Sequence, residues 1–268
     1  MTPFEMKDMK INANKIYYES KFNFLFQHNG FRPANIHLLI ATSGGGKSTT
    51  VRTLTIDVLP KIPKGKKLLI WLSEETSDEF YIEINKTGII DHGKELLNKL
   101  DIFSEQEHID LNDKQLEVEL KKLLDTGEYA FLILDNLTTS EMYMGKLPNE
   151  QGAFSKRLKA KIQEVKIPLI LIAHTKADVT DNMPKLIESN DIRDSKSIIN
   201  LAQFVYVLQT FYILEKRIQT LRITKARGYV IKQNMFILTF DEKTFMFSKD
   251  LAIPFDELKR IFKGRNKL

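Results

Sequence analysis

The stretch IATSGGGKSTT, from Ile40 to Thr50, is the feature that most constrains what this 268-residue chain can fold into. Three consecutive glycines (Gly44–Gly46) stand directly before Lys47 and Ser48. This order is typical of a loop that joins a strand to a helix and presents its backbone N–H groups to phosphate oxygens. An apolar run, NIHLLIA, precedes the loop and a helical pattern follows it. A simple glycine-rich turn does not explain that context, so we predict a phosphate-binding loop.

One position departs from the usual pattern, because Ala41 stands where such loops begin with glycine. That position lies at the end of the strand, farther from the phosphates, so alanine is tolerated there if its φ is negative. Lys47 is expected to reach the β- and γ-phosphates of ATP, and Ser48 to bind Mg²⁺. The residues predicted to bind the nucleotide are Ser43, Gly44, Gly45, Gly46, Lys47, Ser48 and Thr49.

Apolar runs of strand length alternate with helical patterns over most of the chain. Strands are predicted at 35–41, 67–72, 100–105, 129–135 and 167–174, and helices at 48–58, near 77–84, at 113–125 and at 153–166. Continuous apolar strands separated by helices indicate an α/β fold with a mainly parallel sheet flanked by helices. After about residue 203 the β-rich runs follow one another directly, which predicts a C-terminal antiparallel meander at one edge of the sheet.

The chain contains no repeats, low-complexity segments or clear linkers. We therefore predict one domain at 28–250, preceded by an N-terminal arm at 1–27 that could pack on its own domain or reach another subunit. A basic helix or tail is predicted at 251–268.

Composition excludes several kinds of site. The chain has no cysteine, so disulfides, thiolate zinc sites and cysteine nucleophiles are ruled out. No apolar run approaches the ~18 residues of a membrane span, and the N-terminus does not resemble a secretory signal, so a cytoplasmic protein without a membrane partner is expected. A net charge of +5 favours a polyanionic partner, although a solvated lysine-rich surface gives the same number.

Two acidic positions suit the chemistry of nucleotide hydrolysis. Asp135 ends the apolar run YAFLILD, where a carboxylate could orient the metal. Glu74 and Glu75 follow the strand KLLIWL, at a position that opens onto the ligand crevice of an α/β sheet and suits a group that orients the attacking water. The alternatives are an ordinary strand-terminal aspartate and a pair of acids at a helix N-terminus.

The order of these features resembles the ATPase core of the RecA/DnaB superfamily, over roughly residues 28–248. More narrowly, it resembles the hexameric replicative helicases of the DnaB and RepA type. The resemblance implies a RecA-like P-loop NTPase core. IWLSEET resembles the segment that carries the family's catalytic glutamate, which selects Glu74 over Glu75, and FLILDN resembles its metal-aspartate strand.

Further segments extend the resemblance toward the C-terminus. KIPLILIAHTKAD resembles the strand whose terminal polar residue senses the γ-phosphate, here His174. LRITKARGY resembles the family's K-x-R-x-G segment, whose lysine and arginine enter the ATP site of the neighbouring subunit, here Lys225 and Arg227. DIRDSKSIINLAQFVYVL also has a counterpart, but Gln203 stands where aspartate is usual.

Each of these assignments has a simpler alternative. Lys225 and Arg227 also suit a solvated strand edge, where charged residues deter aggregation. His174 could be a core histidine with its hydrogen bonds satisfied. With the family's order taken into account, the predicted catalytic residues are Glu74, Lys47, Arg227, Lys225 and His174, and the predicted metal ligands are Ser48 and Asp135.

The resemblance also implies where a nucleic acid would bind. In the superfamily, the loops after Asp135 and His174 face a central channel, and here they span 136–152 and 175–191. Lys146, Lys176 and Lys185 are the candidate phosphate contacts, and Tyr143 is the one aromatic residue available for base stacking. Both loops also carry acids, so flexible polar loops without a ligand are a serious alternative.

Three hypotheses follow. The first is an ATP-driven helicase, a homohexameric ring that moves along single-stranded DNA with a primase or loader protein as partner, as in a phage or plasmid replicon. The second is a non-helicase ATPase of the same fold that acts as a recombination, loading or KaiC-like regulatory factor. The third is a metabolic P-loop kinase, which the late meander and the K-x-R segment disfavour.

Overall fold

The computed structural model describes residues 30–42, 44–87, 94–175, 186–187, 196–213, 216–228, 234–254, 256–257 and 260. The predicted arm (1–27) lies outside the described residues, as do Ser43, Lys176, Lys185 and most of the predicted tail (251–268).

A nine-stranded sheet organises the described part of the chain, with the strand order β3-β2-β4-β5-β1-β6-β7-β8-β9. The strands are β1 (Ile36–Ala41), β2 (Lys67–Leu72), β3 (Leu100–Ser104), β4 (Tyr129–Asp135), β5 (Leu169–His174), β6 (Phe204–Ile213), β7 (Lys216–Ala226), β8 (Asn234–Asp241) and β9 (Met246–Pro254). Strands β1 to β6 pair in parallel and β7 to β9 add an antiparallel meander. The predicted α/β fold is therefore confirmed, and β9 continues past the proposed boundary at residue 250.

Helices connect the parallel strands. They are α1 (Lys47–Val58), α2 (Ser77–Asn85), α3 (Lys94–Leu97), α4 (Asp113–Asp125), α5 (Pro148–Val165) and α6 (Lys196–Leu201). Helix α5 begins earlier than the predicted residue 153. Pro148 occupies its first turn, where a missing N–H costs nothing, and the Glu150 side chain accepts a hydrogen bond from the Leu147 N–H.

Local sequence sets the start of two other helices. Thr76 accepts a hydrogen bond from the Glu79 N–H at the start of α2, and Glu79 accepts one from the Thr76 N–H. Asn112 and Gln115 form the same reciprocal pair at the start of α4. Such capping boxes satisfy N–H groups that the first helical turn leaves without partners.

Both faces of the sheet are buried. Helices α1 and α2 pack on one face through residues such as Val51 and Phe80, and α4, α5 and α6 pack on the other through residues such as Leu120, Phe154 and Ile198. Two-sided burial explains why the parallel strands are apolar throughout rather than alternating. None of the helices that the structure describes is long and apolar enough to span a membrane.

The register of the sheet brings residues from the carboxyl ends of several strands close together. Ala41 of β1 lies opposite His174 of β5, and Leu72 of β2 lies opposite Asp135 of β4. Because these strands are parallel, their carboxyl ends meet on the same side of the sheet, which is where α/β folds bind ligands.

Candidate active site

The loop after β1 has the geometry of a phosphate-binding loop. Ala41 is the last residue of β1, it is fully buried and its φ is not positive, so alanine is accommodated there as expected. Gly44 and Gly46 have φ of 67° and 85°, which other residues rarely adopt. A Cβ at Gly45 would lie 2.8 Å from the Thr42 carbonyl oxygen. The three glycines therefore let the chain turn tightly into α1.

Lys47, His174 and Glu74 lie together beside this loop. The Lys47 Nζ is 2.8 Å from His174 Nδ1, and His174 Nε2 is 3.0 Å from Glu74 Oε1. In the tautomer with its proton on Nε2, His174 donates to Glu74 and accepts from Lys47 at Nδ1, and the Lys47 Nζ also lies 3.0 Å from Nε2. Three separate strand ends thus bring a cation, an imidazole and a carboxylate into one chain of hydrogen bonds.

The charges in this chain of contacts perturb one another. The hydrogen bond from His174 is the main reason why the pKa of Glu74 falls to about 2, with the charge on Lys47 contributing less. Burial lowers the pKa of Lys47, and the Glu74 and Asp135 carboxylates act in the opposite direction. Glu74 is therefore anionic at neutral pH. Its hydrogen-bond donor is His174, and a phosphate group could compete with Glu74 for that donor.

Asp135 has the properties expected of a metal ligand. It is 7% exposed, and burial followed by the nearby charge of Glu75 raises its pKa to about 7. A buried carboxylate in a surplus of negative charge suits a divalent cation, which removes the unfavourable field. Ser48 is exposed in the first turn of α1, next to the loop. The residues present therefore fit Mg²⁺ bound with a nucleotide, with Asp135 and Ser48 as the groups that would hold it.

The two neighbouring glutamates have different surroundings. Glu75 faces Arg52 of α1 at 3.6 Å rather than the histidine, and burial raises its pKa. Glu74 contacts His174 and lies close enough to Lys47 for the two charges to interact. The geometry thus favours Glu74 as the carboxylate that faces the phosphate loop.

Asn136 is a polar residue of the site that the sequence did not single out. It is fully buried, and its Oδ1 accepts hydrogen bonds from Thr138 Oγ1 at 2.8 Å and the Thr139 N–H at 3.0 Å. Thr138 Oγ1 in turn accepts from the His174 N–H at 3.1 Å. The amide of Asn136 also interacts weakly with Glu74. No hydrogen bond of good geometry forms, however, so its Nδ2 has no partner among the described residues.

Lys225 and Arg227 lie near the amino end of β1, whereas this site lies at its carboxyl end. Ala226 of β7 lies opposite Phe204 of β6, which in turn lies opposite His37 of β1. His37 comes four residues before Ala41, the residue at which β1 ends and the loop begins. Along a parallel strand this is a distance of about 13 Å. Neither cation therefore reaches the phosphate loop of its own chain.

Both cations instead contact the last turn of α6. Lys225 Nζ donates to the Ile199 carbonyl, and the Arg227 guanidinium donates to the Asn200 carbonyl. Burial, followed by the charge of Arg227, lowers the pKa of Lys225. Strand β8 pairs with β7 only over Gln219–Arg222, so no described strand covers that side of Lys225.

Two residues of the predicted nucleic-acid loops, Tyr143 and Lys146, make contacts within the chain. Lys146 forms an ion pair with Asp113 at the start of α4. Tyr143 is 1% exposed and its ring packs against Phe154, so the expectation that it is available for base stacking is wrong for this conformation. Two of the four cations of helix α5 form ion pairs, because Arg157 contacts Glu117 at 2.7 Å and Lys161 contacts Asp125 and Glu164.

The chain matches no protein-family model and no curated protein. Among solved structures, it is similar to a KaiC-like protein of the hyperthermophilic archaeon Pyrococcus horikoshii, with a TM-score of 0.66 and 14% sequence identity. The similarity covers 88% of this chain and 98% of the archaeal one. At this identity the likeness concerns the fold alone, and together with the sheet topology it identifies the fold as RecA-like.

Proposed function

We propose that this chain is a Mg²⁺-dependent ATPase whose active sites are completed by a second copy of the chain. The observation that carries the proposal is the set of three contacting side chains, Lys47, His174 and Glu74, beside a glycine loop at a helix N-terminus. A loop of this kind presents N–H groups and a lysine to phosphates, and the neighbouring carboxylate supplies the group that orients water.

Nucleotide binding would rearrange the contacts between these side chains. Phosphate oxygens accept hydrogen bonds from Lys47 better than an imidazole does, so Lys47 leaves Nδ1 of His174 when ATP enters. His174 then turns its Nε2–H from Glu74 to an oxygen of the γ-phosphate, so its hold on Glu74 weakens. Because that hold is the largest cause of the low pKa of Glu74, the carboxylate becomes more basic and free to orient the attacking water.

Mg²⁺, held by Asp135 and Ser48, would neutralise charge on the phosphates during transfer. Burial is the main reason why the pKa of Asp135 is raised, with the charges of Glu75 and Glu74 adding to it, and a bound cation would favour the charged carboxylate. The Asn136 Nδ2, which has no hydrogen-bond partner among the residues that the structure describes, is a further donor beside Asp135.

Arg227 supports the shared-site part of the proposal. Arg227 lies near the amino end of β1, whereas the loop of the same chain lies at the carboxyl end. If this arginine acts on ATP, it must therefore act on the ATP of another copy. A head-to-tail contact of this type builds a ring when its rotation closes. An arginine placed in this way stabilises charge that develops during phosphoryl transfer, and hydrolysis then depends on assembly.

The finer proposal is a translocase on single-stranded DNA, of the hexameric replicative helicase kind. It is supported by the order of the sequence segments and by the net charge of +5. Such a ring would use a loader or primase protein as partner.

A second candidate is an ATPase that regulates protein partners and does not move along nucleic acid. Three observations favour it: Tyr143 is buried, Lys146 is paired within the chain, and two of the four cations of α5 pair with neighbouring acids. These side chains already make contacts inside the chain.

Steady-state ATP turnover with and without single-stranded DNA separates the two candidates, with Lys47→Ala as the blank and single-stranded RNA as a parallel arm. Turnover that rises several-fold with DNA and is lost in Lys47→Ala supports the translocase. Turnover that is indifferent to both nucleic acids refutes the translocase and favours the partner-regulated ATPase. No turnover above the blank in any arm contradicts the ATPase proposal itself.

A further inference from the structure

Strand β7 reaches the phosphate loop with two polar side chains. The Gln219 Nε2 donates a hydrogen bond to the Gly45 carbonyl, and the Arg217 guanidinium donates one to the Gly44 carbonyl at 2.7 Å. Both residues continue the face of β7 on which Leu221 and Ile223 pack into the core beside α1. This apolar face becomes polar at the level of the loop.

Gln219 fits closely against the loop. It is 6% exposed, and a Cβ on Gly46 would lie 2.2 Å from its Nε2. A buried amide is unfavourable unless it is hydrogen-bonded, and here its partner is a carbonyl of the loop itself. The φ of 85° at Gly46 favours glycine at this position, and a Cβ there would force the end of the Gln219 side chain to shift.

The hydrogen bond from Gln219 also sets the orientation of the peptide group between Gly45 and Gly46. In a trans peptide, the carbonyl oxygen and the N–H of the next residue point to opposite sides. With the Gly45 oxygen held by Gln219, the Gly46 N–H points away from β7. Three consecutive glycines have more backbone freedom than any other sequence, so a bond that selects one orientation lowers the entropy lost when phosphate binds.

We propose that Gln219 is a positioning residue that holds the Gly46 N–H ready for a nucleotide phosphate. The proposal rests on the nucleotide site argued above and assigns part of that site's affinity to β7. Arg217 assists less, because its guanidinium is exposed and competes with water for the same bond.

The test is nucleotide affinity of the full-length protein, measured with a fluorescent ADP analogue and with ATP in the presence of Mg²⁺. Gln219→Met and Gln219→Leu both remove the donor but differ in shape. Both are expected to raise the Kd about 10-fold, the effect of one backbone residue that must be ordered on binding. In turnover assays, KM should rise by a similar factor with little change in kcat, because the lost contact acts on the bound ground state.

Gln209→Met is the matched control. Gln209 is also a buried glutamine, in β6 opposite Thr220 of β7, and its Oε1 accepts from the Ile187 N–H rather than from the loop. This control should leave the Kd within about twofold. Thermal unfolding of all three variants separates loss of affinity from loss of fold.

The outcomes distinguish the two proposals. Wild-type protein that binds nucleotide no better than Lys47→Ala contradicts the proposed function, and the role of Gln219 with it. Wild-type protein that binds nucleotide while both Gln219 variants, folded, bind equally well overturns the role of Gln219 alone. A large change for one Gln219 variant and none for the other also overturns it, because packing rather than the hydrogen bond would then be responsible.

Discussion

At the scale of single residues, Glu74 and Glu75 differ in what they contact rather than in chemistry. Glu74→Gln keeps the shape of the side chain but removes the charge that interacts with His174 and Lys47. We expect kcat to fall about 100-fold or more while nucleotide affinity changes little, since a water-orienting group acts mainly in the transition state.

Glu75→Gln is the control for that substitution, because Glu75 faces Arg52 instead. Its kcat should fall less than about 10-fold. Steady-state kinetics on both variants decides the assignment. A severe loss in Glu75→Gln with near-normal turnover in Glu74→Gln would reverse it.

Much of the site could be predicted residue by residue, because its members stand at the ends of apolar runs. Asp135 and His174 end β4 and β5, Glu74 and Lys47 come after β2 and β1, and parallel strands end on one side of the sheet. Gln219 and Asn136 could not be predicted in this way. Their contacts depend on how β7 and the turn after β4 pack against the loop and strand β5, and no local spacing encodes such tertiary contacts.

At the scale of secondary-structure elements, Glu105 joins β3 to the segment after β4. Its carboxylate accepts hydrogen bonds from Trp71 Nε1 and Ser140 Oγ, each at 2.6 Å, and from the Glu141 N–H at 2.9 Å. Trp71 is fully buried, so Glu105→Ala takes away the carboxylate that accepts from its N–H and leaves a buried donor without that partner. Glu105→Ala should therefore lower the free energy of unfolding by about 2–4 kcal/mol.

Glu107→Ala is the matched control, since Glu107 lies in the same short turn but is exposed and contacts Ser77. It should cost less than about 1 kcal/mol. Urea unfolding measures both values. Equal losses for the two variants would contradict the role given to Glu105.

Strand β1 carries a histidine that makes stability depend on pH. His37 is 1% exposed, lies 4.8 Å from the Phe204 ring and contacts the Tyr206 hydroxyl at 3.1 Å. Burial, with a smaller effect from Arg32, lowers its pKa from 6.5 to about 3. The unfolded chain therefore binds a proton below about pH 6.5 that the folded chain does not, and stability is lost as pH falls toward the folded pKa.

His37→Phe removes this titration. Between about pH 7 and pH 5, the wild-type protein should lose about 2 kcal/mol more unfolding free energy than the variant. The comparison uses the change with pH, so a constant packing cost of the substitution cancels. Parallel pH profiles for the two proteins, measured by urea unfolding, would show that His37 titrates normally.

Element boundaries were predictable where capping residues and apolar periodicity agree. Helix α4 and strands β2 and β4 have the predicted bounds, and α4 begins directly after Asn112 as its cap requires. Helix α5 starts earlier than predicted because its first turn is polar, so the apolar pattern of its buried face becomes visible only farther along. Gln203, where the resembling family has aspartate, exchanges two hydrogen bonds with Ile36 and so anchors the start of β1.

At the scale of the whole molecule, the phosphate loop and Arg227 lie near opposite ends of strand β1. Lys47 and its partners occupy the carboxyl edge, and Arg227 lies at the level of the amino end of β1. If Arg227 acts on ATP as proposed, hydrolysis requires that the Arg227 of one copy meets the phosphate loop of another. The sequence predicted Arg227 through a family resemblance, and the register of β7 supplies the physical reason why it cannot act on its own site.

ATP turnover by two variants, alone and mixed, tests this shared site most directly. Lys47→Ala lacks a working loop but keeps Arg227, and Arg227→Ala has the opposite defect. Each variant alone should lose turnover about 100-fold or more. An equal mixture should regain activity, up to about a quarter of the wild-type rate, because that share of interfaces joins an intact loop to an intact arginine. Near-normal turnover by Arg227→Ala alone, with Lys47→Ala inactive, would contradict the account.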